Sequence, residues 1–271
     1  MAPGLDASSA TFNYAGEMDF DGSAGSLSVS SFDIRTLLCK PLSPMTGLTI
    51  LPSFEYKATG LDFNGVSPGY PIGDEDLHSL SLSAVALSMR DGCPWIYGAW
   101  ARAELASDFQ DISGDDFTFD LAAGAGYRFN EKFTLTFGGA VMNLNGDTQF
   151  YPGIGFDWVV NDQVRVGLYG PTFIASYTPD ENWMFSVRGD ASGGIWNISD
   201  TGGASRSIDL SSYDLGVFVN RRLTGELWLS AGAGATLGNE IRLTEPNGDK
   251  LFKQDLNSGL FAQVSLRLKS W

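Results

Sequence analysis

From Phe117 to Phe129 the chain reads FTFDLAAGAGYRF, thirteen residues that alternate between two faces without a break. One face carries Phe117, Phe119, Leu121, Ala123, Ala125, Tyr127 and Phe129; the other carries Thr118, Asp120, Ala122, Gly124, Gly126 and Arg128. A period of two is the signature of a strand. Twelve steps at ~3.3 Å give ~40 Å, which a tilt of ~40° projects to ~30 Å, the thickness of a bilayer's hydrocarbon. The apolar face runs aromatic, aliphatic, aromatic, as the lipid side of a membrane barrel does. A soluble sandwich strand also alternates, but it averages only ~5 to 6 residues and hides its apolar face against a second sheet.

The pattern recurs over residues 95–105, 133–141, 213–219, 227–237 and 260–268. Tight turns fit at 41–46, 91–94, 130–131, 161–163, 179–182 and 221–224. Longer or more polar links fit at 60–76, 107–116, 145–150, 199–206 and 239–257. Short turns on one side and long loops on the other are the habit of bacterial outer-membrane barrels. With short outer links at 22–24 and at Gly170-Pro171, the fold class is all-β, a single antiparallel transmembrane β-barrel of about fourteen strands with both termini periplasmic. The stretch 164–177 is split at Gly170-Pro171, where proline removes a ladder donor, and the count falls to twelve if another pair merges or fails to span. The expected division is an N-terminal periplasmic tail over 1–9 and the barrel over 10–271. Alternation slips at Ser30-Ser31 and near Ala84-Val85, which predicts a β-bulge at each.

Composition narrows the field further. No stretch approaches the ~20 apolar residues of a spanning helix, so a membrane crossing must be made by strands, closed on themselves to leave no edge. A net charge of −15, with 17 Lys and Arg against 32 Asp and Glu, speaks against nucleic acid as a partner. Much of the acid falls in the loop segments and reads as a solvated rim. The start, MAPGLDASSATF, has neither the basic nor the apolar region of a signal peptide, and the expectation is a mature chain behind an added Met1.

The segment 151–198 contains a PGIGF strand, an ND turn, the stretch GPTFIASY and a second acidic turn before NWMFSVRGDASGG. It resembles an uncharacterised family of Gram-negative outer-membrane β-barrels, a domain of unknown function. YDLGVFVNRRL, LWLSAGAGATLGNE and SGLFAQVSLRLKSW are compatible with that family's C-terminal strands, so the resemblance covers roughly the last 120 residues. It implies an outer-membrane barrel and brings no catalytic residue. One departure is Trp271, which is out of phase with Val264, Leu266 and Leu268.

Catalytic patterns are weak. The single histidine, His78, has Leu80 two residues on, while Ser79 and Ser81 point to the other face, so no His–Ser pair lies along its strand. Asp19 with Asp21, and Asp115 with Asp116, are neighbours that an acidic chain produces freely; Asp19 to Gly22 starts like a calcium loop but lacks the remaining ligands. The run from Gly232 to Gly238 is spaced GxGxxxG inside a strand, without the helix that a phosphate loop opens. The expectation is therefore no catalytic residue, no metal and no cofactor. Cys39 and Cys93 both map to the periplasmic ends of neighbouring hairpins, and sequence leaves open whether they form a disulfide or stay as two thiols.

The predicted lumen face carries Arg102, Glu104, Asp120, Arg128, Asp157, Arg165, Arg188 and Asp190, together with Glu17, Asp19, Arg35, Glu55 and Lys57. Charges of both signs suit a channel for small solutes, and equally an ion-paired filling. Three functions follow: a porin-like channel, a non-conducting barrel presenting loops 60–76 and 239–257 to an envelope protein, and a transporter of hydrophobic solutes opening sideways near Gly170-Pro171. The expected surroundings are outer-membrane lipid, lipopolysaccharide and the barrel-assembly machinery.

Overall fold

The computed structural model describes residues 6–45, 47–67, 70–144, 147–199, 205–245 and 249–269. In chain order the strands are β1 (Asp6–Asp19), β2 (Ser26–Leu37), β3 (Leu42–Met45), β4 (Leu48–Asn64), β5 (Glu75–Met89), β6 (Trp95–Ser107), β7 (Phe117–Asn130) and β8 (Phe133–Leu144). They continue as β9 (Asp147–Val159), β10 (Val164–Tyr169), β11 (Thr172–Tyr177), β12 (Trp183–Ser199), β13 (Ser205–Thr224), β14 (Leu227–Thr244), β15 (Lys250–Leu256) and β16 (Gly259–Lys269). β3 folds back on β4 and β15 lies along β14; the other fourteen close a barrel by antiparallel pairing, β16 meeting β1. Fourteen is the predicted count, and the wall divides at Gly170-Pro171 as the proline suggests. Among the described residues there is no α-helix, only a 3-10 turn at Gly114–Asp116.

β7 shows why these residues make this wall. Phe119 is 70% exposed and Leu121 59%, whereas Asp120 between them is 2% exposed. Apolar side chains thus face outward, as only lipid makes favourable. At the end where the termini lie, Trp95, Tyr127, Phe129, Phe133 and Phe156 form a chain of ring contacts across β6 to β9, T-shaped from Trp95 to Phe129 and tilted to stacked from there to Phe156. This arrangement is an interfacial girdle.

Towards the other end, the loop end, several strands reverse their polarity. Leu27, Leu61, Leu77, Ile208, Ile241 and Leu243 are essentially inaccessible and point inward. The outer face there carries Asp62, Asp76, Asp209, Glu240, Arg242 and Lys253. This half has the inside and outside of a water-soluble barrel, and it is narrower. Asn197 of β12 crosses to bridge Ser107 of β6, leaving β7 to β11 out of the ring. The apolar cluster accordingly draws on β1, β2, β4, β5, β6, β12, β13, β14, β15 and β16 and the loop residue Ile72, and on none of β7 to β11. The molecule is therefore two stacked tiers, a wide one with apolar walls and a narrow one with an apolar core.

This arrangement corrects several expectations. No bulge occurs at Ser30-Ser31 or Ala84-Val85; β2 pairs β4, and β5 pairs β4 and β6, in unbroken register. Leu27 and Val29 lie in phase with Ser31 because they belong to the narrow tier's core. Bulges lie where the tiers meet, between Ala15 and Met18 in β1 and at Gly238 in β14, opposite the Ser211–Tyr213 step of β13. β1 starts at Asp6, so residues 6–9 are wall and not tail. β13 runs to Thr224, which moves its turn to Gly225-Glu226. Trp271 lies outside the described residues, as do parts of the predicted loops.

Candidate functional site

Inside the wide tier, charged residues from neighbouring strands meet in pairs. The Arg102 guanidinium holds Asp120 at 2.7 Å and Glu104 at 3.1 Å. Arg165 donates to Asp157 through Nε at 2.6 Å and also through Nη2, with Tyr169 adding a bond to the same carboxylate. Arg188 lies 2.7 Å from Asp190 and over the ring of Phe218. These seven candidates are thereby engaged with one another across the inner surface. Arg128, at the terminal end of β7, is exposed. Glu17 and Asp19 stand on the outer, exposed side, because the bulge between Ala15 and Met18 reverses the phase of β1.

The sides of the lumen differ. Towards β7, β8 and β9 a run of small residues faces inward beside Tyr151: Ala122, Gly124, Gly138, Ala140, Gly153 and Gly155. A side chain at Gly153 would meet nothing within 4 Å. Against the opposite wall lies the loop-end half of β12. Gly193, at φ +116°, turns the strand across the lumen, and its carbonyl accepts a 3.1 Å bond from the Lys57 ammonium. Trp196, 1% exposed, donates from Nε1 to Ser79 Oγ at 3.0 Å and lies under the Lys57 ammonium. Asp108 N donates to the Asn197 carbonyl and Ser199 N to Asp108 Oδ2. Beneath this ceiling is a cavity of about 170 Å³ lined by Glu55, Lys57, Ser81, Arg102, Glu104 and Trp196, among others.

The crossing of β12 leaves an opening in the wall. β10 pairs β9 only from Phe156 to Val159, and β11 pairs β12 only from Phe185 to Gly189. Beyond the Gly170-Pro171 turn, β9 over 148–155 and β12 from Asp190 have no wall strand between them. Phe150 and Ile154, on that free edge of β9, are 66% and 64% exposed and outward, so the opening lies within the apolar belt.

Other candidates are structural. His78 is outward, 3.1 Å from the Tyr56 hydroxyl and against Phe109, while Ser79 and Ser81 are inside. Asp116 caps its own 3-10 turn by accepting from Ser113 N. Asp19 and Asp21 are exposed. Gly232 and Gly234 are wall positions where a Cβ would strike Phe218 or the Leu215 carbonyl. Cys39 and Cys93 are both free thiols.

Residues 80–269 match the model of a family described as a domain of unknown function, DUF6268. The chain belongs to that family. The match reaches back past Tyr151, so family sequence includes β6 to β9. No curated protein matches the sequence. Among solved structures, an outer-membrane channel from Pseudomonas putida F1 aligns over 98% of this chain and 97% of its own, at 12% identity and TM-score 0.51. A FadL homologue of Pseudomonas aeruginosa aligns over 97% of this chain and 90% of its own, at 10% identity and TM-score 0.52. These likenesses show the fold, that of bacterial outer-membrane barrels.

Sequence alone places Lys57 in the lumen but does not show Gly193 and Trp196 as its partners, nor Ser79 as the acceptor of Trp196. The signal was present: a Gly-Gly pair followed two residues later by tryptophan on the inward phase of a strand, where a polar or small residue would suit an aqueous lumen.

Proposed function

We propose that this barrel exchanges an apolar or amphiphilic molecule between the surrounding membrane and its lumen, through the gap between β9 and β12. The carrying observation is that β10 and β11 stop short inside the apolar belt. A strand edge facing hydrocarbon leaves backbone groups unpaired at several kcal/mol each, so such an edge is tolerated where it borders a polar or water-filled space. The small inward residues of β7 to β9 leave that space just behind the gap. An open porin is less well supported, because a path along the axis would cross the apolar core of the narrow tier. The reading takes the loop end as external, the termini as periplasmic, and the outer membrane, with its lipopolysaccharide and assembly machinery, as the setting.

A diazirine-bearing long-alkyl probe in vesicles holding the protein tests this. Labelling of the inward positions Tyr151 and Gly153, besides outward Phe150 and Ile154, is the expected result. Labelling confined to outward positions would sink the proposal. Discrete ion openings from the unmodified protein in planar bilayers would return the porin reading to first place.

A further inference from the structure

The narrow tier is closed by one strand that is held on that side by few bonds besides the Lys57 contact: Trp196 to Ser79, Asn197 and Ser199 with Asp108, and Asn197 with the Asp115 carbonyl. From Asp190 onward β12 pairs β13 along one edge, while its other edge meets β6 at the single Asn197–Ser107 bridge. We propose that residues 193–199 of β12 form a hinged strap, pivoting at Gly193 and latched by Lys57, that swings off β5 and β6 to open the narrow tier towards the loop end. This goes beyond the side opening, since it gives the lumen a second exit.

The hinge is visible as a crease. Gly193 lies opposite Ser211, beside the β13–β14 register shift at Ser211–Tyr213, which is followed in β14 by Gly238 at φ +61°. β12 and β14 thus carry their irregularities on one line across β13, where the sheet bends with least disturbance. A Cβ at Gly193 would lie 1.9 Å from the Leu210 carbonyl oxygen, so only glycine serves there.

The latch has a second place to go. Releasing Gly193 would strand a buried ammonium, which costs several kcal/mol if nothing receives it. Lys57 also lines a cavity of about 30 Å³ with Asn13, Thr59, Asp214 and Asn239. Each of these four offers an inaccessible side-chain oxygen that accepts no hydrogen bond in the closed form. They are acceptors short of donors, and Lys57 is the cation beside them. Both positions of the ammonium therefore have partners, which is what a reversible latch requires.

The test uses the full chain in lipid vesicles with Cys39 and Cys93 replaced by serine. Lys57→Met should raise amide exchange over 193–199 by about tenfold or more while leaving β7 and β16 unchanged. It should also produce discrete openings in planar bilayers, and Lys57→Arg should behave as the parent. Adding Asn197→Cys with Ser107→Cys, whose Cα atoms pair across the bridge, should abolish those openings on oxidation and restore them on reduction. Exchange in Lys57→Met at the parent's rate would overturn the strap, as would a rise shared by β7 and β16 or openings that persist under the crosslink. Alkyl labelling of Tyr151 and Gly153 reports on the side gap alone, so either proposal can fail without the other.

Discussion

Tyr70 sits in the link between β4 and β5, stacked on Phe20 and edge-on to Phe252. Its hydroxyl is buried without a partner, and burial pushes its pKa up from 10 to about 12. Because the folded form holds this proton more tightly than the unfolded chain, the contribution is full below pH 10 and is lost as pH rises through 12. Tyr70→Phe should remove that alkaline loss and leave neutral stability unchanged or higher, which urea titration of vesicle-inserted protein at two pH values would show. Asp120 is the better-buried partner of Arg102, and Asp120→Ala should cost about 1 to 3 kcal/mol, as hydrogen bonds to charged groups do. A urea midpoint equal to the parent's would show that Glu104 alone suffices for Arg102.

Single strands separate what sequence made legible from what it did not. β7 is legible in the sequence because it lies wholly in the wide tier, where one face meets lipid along its length. Ala123→Arg, at the middle of that face, should cost about 2 to 4 kcal/mol, measured as loss of folding into vesicles. β2 looks bulged in sequence because alternation assumes one apolar side per strand, and here Phe32 faces out while Leu27 faces in. The same assumption turned the polar outer positions of β14 and β15 into a loop spanning 239–257. The β10–β11 hairpin was legible from Gly170-Pro171, but that its shortness opens the wall depends on where β12 goes. Lengthening this hairpin with alternating valine and serine should pair β9 to β12 and remove alkyl labelling of Gly153.

At the scale of the whole molecule, the fold class followed from local periodicity, whereas the site depended on contacts between residues far apart in sequence. Lys57 meets Gly193 and Trp196 meets Ser79 only because the sheet closes and then narrows, and spacing along the chain carries no trace of that. The narrowing also has a mechanical consequence. Glu240, Arg242, Lys253 and Asp209 form an ion-paired patch on the outer face of β13 to β15 in the narrow tier. Pulling that patch into hydrocarbon would desolvate charges that now sit in water, while pushing the wide tier outward would strip lipid from its aromatic belt. Charged patch and aromatic belt together favour one depth of seating, and at that depth the proposed gap between β9 and β12 is level with the acyl chains.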